Sequence, residues 1–383
     1  MKDLKTALNR KAQELGFSLF GVTPADPLDG AAFYARWIAM GFAGEMDYLK
    51  RNIDKRGDLT KIVPGARSVI CLGMEYLQPS PEDFSTTEGR FASYARGDDY
   101  HELIKERLFE FWDFIRSKVK DVSGRVYVDT APVLERELAQ RAGIGWIGKN
   151  TCIINKHRGS YFFLSEIVST LELPSDEPAT DHCGNCTKCI DACPTNAFPR
   201  PYVMDASRCI SYLTIEHKSS IPEDLRPKMG NWIFGCDICQ DVCPWNKRAS
   251  FSQEPDYESR EGFDKPPLIE WMQLDKEQFN QKFRGNPAKR PKRRGLLRNV
   301  AIALGNSGDQ LSIPALILAL RDEEPLIRSH AAWGLGQLGG DSAHKALLEQ
   351  REHENDISVM EEIDSALKNF TNMNHFPKTS LNE

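Results

Sequence analysis

Eight of the ten cysteines in this 383-residue chain fall between residues 183 and 243. They read Cys183-x2-Cys186-x2-Cys189-x3-Cys193-Pro194, then Cys209, then Cys236-x2-Cys239-x3-Cys243-Pro244. A cubane cluster wants four thiolates, and this spacing is that of chains carrying two [4Fe–4S] clusters, where the fourth cysteine of a run ligates the other cluster. The pattern assigns Cys183, Cys186, Cys189 and Cys243 to one cluster, and Cys193, Cys209, Cys236 and Cys239 to the other. Cys209 substitutes for the cysteine that a regular second copy would carry at Ile233. Zinc sites more commonly show two separated C-x2-C pairs, and the spacing is metal-like rather than that of a disulfide framework. Electron handling is the first chemistry expected. Cys71 and Cys152 lie in apolar stretches and read as core residues.

Four further constellations could do chemistry. Asp129 stands where a short strand gives way to a helix, either as a catalytic carboxyl or, with Thr130, as a helix cap. Glu135, Arg136, Glu137 and Arg141 behind it read as a solvated helix face. The glycine-rich run from Ala142 to Asn150 either lets backbone approach a ligand, with Lys149 holding a phosphate or carboxamide, or is a structural turn. It matches neither a P-loop nor a dinucleotide fingerprint. Asp99-x-His101 begins like an Asp-x-His-x-x-Gly corrinoid loop, but Ile104 replaces the glycine. His101 is therefore read as a helix-start or substrate-contacting residue, not a cobalt ligand. The stretch from Arg284 to Arg298 holds seven basic residues and no acidic one. Lys289, Arg290, Lys292, Arg293, Arg294 and Arg298 are its phosphate-contact candidates, with Arg321 and Arg328 extending the patch.

The elements that must position these residues follow from periodicity. Helices are expected over the first fifteen or so residues, 33–40, 101–119 and up to Arg141, with strands at 17–22, 68–76, 125–128 and 161–168. From Leu296 the chain repeats with a period of 31: Leu304-Gly305 recurs as Leu335-Gly336, and Ala315-Leu316-Ile317 as Ala346-Leu347-Leu348. Paired helices with a Leu-Gly and Gly-Asp hinge resemble HEAT units. The expected class is α+β, divided into 1–174, a two-cluster ferredoxin-like module at 175–248, a connector at 249–290 and helical repeats at 291–375. The final ten or so residues are expected to fray. Hydrophobic content of 40%, charged content of 27% and a net charge of −6 are those of a globular protein. No apolar run is long enough for a bilayer, and no export signal opens the chain, so a cytoplasmic, non-membrane location is expected. Any nucleic-acid contact must use a local patch.

The segments VDTAPVLERELAQRAGIGWIGKN (128–150), CGNCTKCIDACPTNA (183–197), RCISYLTIEHK (208–218) and FGCDICQDVCPWN (234–246), followed by a HEAT-like tail, together resemble the epoxyqueuosine reductases over essentially the whole chain. The resemblance implies a nitroreductase-like domain holding cobalamin, and a tRNA substrate carrying epoxyqueuosine at the wobble position. The implied reaction removes the epoxide oxygen as water and leaves queuosine. Asp129 matches the family's proton donor, with burial over the apolar corrin face expected to raise its pKa. The resemblance directs cobalamin contacts to Arg56, Ala92, Asp129, Lys149, Ile153, Leu164, Ser211 and Asp237. It implies an electron donor such as flavodoxin or ferredoxin, and the chain is expected to act as a monomer. The competing readings are a corrinoid reductase of a small halide or epoxide, and a non-enzymatic iron–sulfur carrier with a HEAT docking surface.

Overall fold

The computed structural model describes residues 1–373, so the end expected to fray lies outside the described residues. The chain runs α1 (Lys2–Glu14), β1 (Leu19–Pro24), α2 (Gly30–Ala39), α3 (Ile53–Gly57), β2 (Ser68–Glu75), β3 (Arg90–Phe91), α4 (Tyr100–Lys118) and β4 (Gly124–Tyr127). It continues with α5 (Glu135–Arg141), β5 (Trp146–Ile147), β6 (Ile153–Ile154), β7 (Phe162–Ser169), α6 (Lys188–Asp191), α7 (Ile210–Ile215), β8 (Trp232–Phe234) and α8 (Ile238–Asp241). Seven helices close it: α9 (Leu268–Trp271), α10 (Lys276–Lys282), α11 (Lys292–Asn306), α12 (Ile313–Ala319), α13 (Pro325–Leu338), α14 (Asp341–His353) and α15 (Ile357–Met373). Among the described residues no helix is long and apolar enough to cross a membrane.

Contacts divide the chain into two compact units, each drawn from three stretches. The first takes Met1–Pro79, Arg96–Cys209 and Asp237–Ser259; the second takes Ser80–Ala95, Ile210–Cys236 and the chain from Arg260 onward. Four consecutive segments therefore do not describe the contacts. Residues 80–95 join the second unit because β3 pairs in parallel with β8.

The first unit is built on an antiparallel sheet of order β1-β2-β7-β4. Its central strand, β2, is buried along nearly its whole length, as a strand covered on both faces must be. Side chains alternate across a strand. Val69 and Cys71 pack with Leu138 and Ala139 of α5, while Ile70 and Leu72 are equally buried on the other face.

The second unit is helical and centres on α11, buried continuously from Gly295 to Gly305. The repeated Leu-Gly pair is a close-packing device and not a hinge. A Cβ on Gly305 would lie 2.7 Å from the Cα of Gly334 in α13, and one on Gly336 would lie 2.7 Å from the Cβ of Ala366 in α15. The turns fall afterwards, at Gly308 and Gly339, which take positive φ values of 66° and 69°.

Arg298 is fully buried in α11. Its guanidinium donates to the carbonyls of Leu213, His217 and Ser219 and to Oδ1 of Asn299, and Asn299 donates to the carbonyls of Thr214 and Ile233. This withdraws Arg298 from the expected phosphate-binding set. It ties the irregular 213–233 segment to the helical core, where unsatisfied carbonyls would be costly. Arg298→Met should strand those acceptors and destabilise the second unit by about 3 kcal/mol or more, read as a lower denaturant midpoint.

Candidate active site

The cysteine runs have little regular structure of their own, and a neighbouring turn holds them. In the first unit the turn Gly148–Thr151 follows β5, with Thr151 at φ 65°. The Lys149 ammonium donates to the carbonyls of Gly184 (2.6 Å) and Cys186 (2.9 Å). The next residue, Asn150, donates from its amide to the carbonyl of Cys239 (3.3 Å). One turn thus grips a loop from each cysteine run. The reading of Lys149 as a phosphate or carboxamide ligand gives way to this clamp, since two carbonyls occupy its side chain.

Thiols of the first set lie near enough to influence one another electrostatically. Burial, then the charges of Cys183 and Cys243 and, further down, Cys186, push the Cys189 thiol up to about 11. Thiols that oppose one another's ionisation need cationic charge among them, which cluster iron supplies. This supports the Cys183, Cys186, Cys189 and Cys243 set. Two sulfurs also receive N–H groups: the Trp146 indole reaches Cys183 Sγ at 3.5 Å, and the Ala197 backbone reaches Cys193 Sγ at 3.4 Å. Such bonds tune a cluster's potential. Cys71 is core, as expected. Cys152 is half-buried rather than the core residue expected; a hydrogen bond with Cys239 lowers its pKa against the effect of burial.

A second constellation forms in the same unit where β4 runs out. Asp129 takes a left-handed φ of 53°, uncommon for a residue with a side chain and characteristic of functional loops. Its Oδ2 accepts from the Tyr100 hydroxyl at 2.9 Å and lies 3.3 Å from His101 Nε2. The other ring nitrogen, Nδ1, lies 2.8 Å from Asp99 Oδ1, and Asp99 also caps α4 through the His101 backbone N–H. Tyr100 is fixed by stacking on Phe163, with centroids 4.0 Å apart. Burial opposes charging His101, but hydrogen bonds from Asp129 and Asp99 outweigh it and lift its pKa to about 9. The imidazole therefore carries its proton at neutral pH. Among the protein's own groups the Asp129 side chain is 57% exposed, and the neighbouring imidazole holds a proton against its carboxyl.

Beneath this loop α5 is not a solvated face. Glu135 accepts from the Asp129 backbone N–H, and burial followed by the charge of Asp129 lifts its pKa to about 8. Glu166 on β7 sits cross-strand from Cys71, fully buried. Its carboxyl oxygens and Oε1 of Glu135 have no hydrogen-bond partner. Burial, then the charge of Glu135, raises the Glu166 pKa well above the ordinary carboxylate value. Glu137 accepts the Gly30 N–H and Arg136 donates to the Thr151 carbonyl. Alternating polarity along α5 disguised residues committed to neighbouring loops.

Comparison with known proteins bears on both constellations. Residues 182–246 match a 4Fe-4S double cluster binding domain, 56–130 an epoxyqueuosine reductase QueG domain, and 293–368 HEAT repeats. An epoxyqueuosine reductase of Xanthomonas campestris pv. campestris is 43% identical over 88% of this chain and 97% of its own length. That of Escherichia coli K12 is 38% identical over 88% and 90%. The chain belongs to the epoxyqueuosine reductase family. It also superimposes on the crystal structure of an epoxyqueuosine reductase with an epoxyqueuosine-modified tRNA-Tyr stem loop, at TM-score 0.91 and 32% identity, covering 97% of this chain and 99% of that one.

For a family member, the remaining candidates are distributed as follows. In the first unit, Arg56 is buried under Tyr34, 5.1 Å from its ring centroid, and donates weakly to the Ala131 carbonyl while its Nε has no partner. Ile153 and Asp237 are buried, and Leu164 packs at the edge of the α5 core. Ala92 and Ser211 belong to the second unit, where the Ala92 N–H donates to the Phe234 carbonyl. Of the basic run, Arg293 is held by Asp322 and Arg290 pairs with Glu216. Lys289, Lys292 and Arg294 are exposed. Arg328 is committed to Glu354. Sequence patterns alone do not join Asp99, Tyr100 and His101 to Asp129; the signal they offer is two acids and a histidine at predicted element ends.

The clamp makes a direct prediction. Lys149→Met should free the Gly184 and Cys186 carbonyls and loosen the first cysteine loop. Anaerobically reconstituted protein should then fall well short of the roughly eight irons that two cubanes bring, measured by iron assay per chain.

Proposed function

We propose that this chain reduces epoxyqueuosine to queuosine in the wobble position of tRNA, with Asp129, His101 and Tyr100 as its proton-handling group. The observation that carries the reading is the Asp99–His101–Asp129 chain, hydrogen-bonded and charged, in a protein of this family that also carries the double-cluster cysteine pattern. Removing the epoxide oxygen as water takes two electrons and two protons. His101 holds a proton at Nε2 facing Asp129 Oδ2, so a proton can pass through the carboxylate to a departing alkoxide. The Tyr100 hydroxyl orients the same oxygen. Asp99 fixes the imidazole and stabilises its charged form.

A corrinoid bound here would supply a low-valent metal able to open the epoxide, chemistry that no side chain provides. The residues fit such a group: the partnerless Nε of buried Arg56 suits a peripheral carboxamide, and Ile153 and Leu164 suit an apolar ring. The thiol sets that include Cys189 and Cys239 would hold the two clusters.

A wobble base must leave its anticodon stack to be acted on, and phosphate contacts would position the stem loop without reading sequence. Lys289, Lys292 and Arg294 are the exposed cations of the basic run suited to that task, with Arg290 beside them.

Asp129→Asn should retain both clusters and lower kcat by about 100-fold or more, followed as loss of one oxygen from the nucleoside by mass spectrometry. Because the His101 pKa is raised, its proton is present below about pH 9 and lost above it; wild-type turnover should therefore decline as pH passes about 9. The double variant Lys292→Glu, Arg294→Glu should weaken stem-loop binding and flatten its logarithmic salt dependence by roughly 0.7 for each phosphate no longer neutralised. Unchanged affinity and slope would remove these residues from the interface.

A further inference from the structure

The first cysteine run reaches the surface beside a cluster of positive charge that the proposed proton chemistry and tRNA contacts leave unused. Cys186 is exposed. Trp146, whose indole touches Cys183 Sγ, packs edge-on against Trp245 with centroids 5.0 Å apart, and both rings contact the exposed His182. The Arg248 guanidinium lies 5.3 Å from the Trp245 ring centroid and donates to the Lys156 carbonyl at 3.0 Å. Lys156, His157, Lys247 and Arg248 are all exposed. Of the acidic groups nearby, Glu75 is paired with Arg158, while Asp181 accepts from the Cys183 N–H and the Tyr202 hydroxyl and Asp241 from the Tyr161 hydroxyl, neutral donors that leave both charges in place. Exposed Lys156, Lys247 and Arg248 thus lie at the outer, Trp245 end of an aromatic path to a cluster ligand, in a chain whose net charge is −6.

We propose that this patch, Lys156, Trp245, Lys247 and Arg248, is the docking surface for a small acidic one-electron carrier protein, which reduces the cluster held by Cys183, Cys186, Cys189 and Cys243. The inference rests on the cluster reading above. Each docking event oxidises the carrier by one electron and reduces the cluster by one. Two events match the two electrons that, with two protons, release one epoxide oxygen as water. Positive charge beside Trp245 steers an acidic carrier and fixes its approach, effects expressed in association rate and lost with salt. A nucleic acid would be drawn to the same charge, but the patch adjoins a cluster ligand, which favours an electron donor.

The test uses the full chain with reconstituted clusters and reduced flavodoxin as the probe. Cluster bleaching is followed by stopped flow, and binding by calorimetry. Wild-type reduction should slow steeply as salt rises. Lys247→Glu, Arg248→Glu should slow it about tenfold or more at low salt and weaken flavodoxin binding in parallel, while dithionite reduces variant and wild type equally. Lys156→Glu should act in the same direction, and Lys345→Glu in the second unit should not. Equal flavodoxin rates in variant and wild type, with dithionite reduction intact, would overturn the docking surface alone. So would a variant that loses stem-loop binding but keeps its flavodoxin rate. A chain that dithionite cannot reduce would overturn the cluster reading itself.

Discussion

The grip of one turn on two cysteine loops is the constraint on which the rest depends. Lys149 and Asn150 are neighbours in sequence, yet their side chains satisfy carbonyls in both cysteine runs. Thiols packed closely enough to share a cluster oppose one another's ionisation, as Cys189 shows. Without iron the loops have reason to separate, and the clamp acts against that. Strands β5 and β6 flank the turn and hold it rigid. The absence of a side chain at Gly145 matters here, since a Cβ would come within 2.4 Å of the Ile154 carbonyl.

The proton site answers a different electrostatic problem. An enzyme that protonates a leaving alkoxide near neutrality needs a proton held ready close to solvent. Burial raises an acid's pKa, as at Glu135 and Glu166. At Asp129 the protein's own groups provide another device. The fold instead sets a histidine between two aspartates, so that two negative neighbours keep the imidazole charged. Below the loop, Glu135 accepts its backbone N–H.

Much of this was legible in the sequence. The cysteine spacing, the period of 31 and the strands of the antiparallel sheet are patterns local enough to read directly. What sequence did not show is how side chains spend their charge. Lys149, Arg293 and Arg298 each looked available for a phosphate. Carbonyl groups take Lys149 and Arg298, and Asp322 takes Arg293. Likewise Glu135 resembled any exposed helix acid, because nothing in its spacing reveals that α5 begins beneath a left-handed turn. The Leu-Gly repeat was visible, but its purpose, two helix backbones in near contact, needed a third dimension.

The central claim is that electrons delivered through the paired cysteine runs, and protons from the Asp129–His101 pair, together remove an epoxide oxygen. It is tested most directly by single turnover. Anaerobic protein with both clusters and cobalamin bound is mixed with an epoxyqueuosine-bearing stem loop and reduced, and the nucleoside is weighed by mass spectrometry. The account predicts loss of one oxygen for every two electrons consumed, with the stem loop otherwise intact. An unchanged nucleoside, from protein whose clusters take up electrons normally, would contradict it.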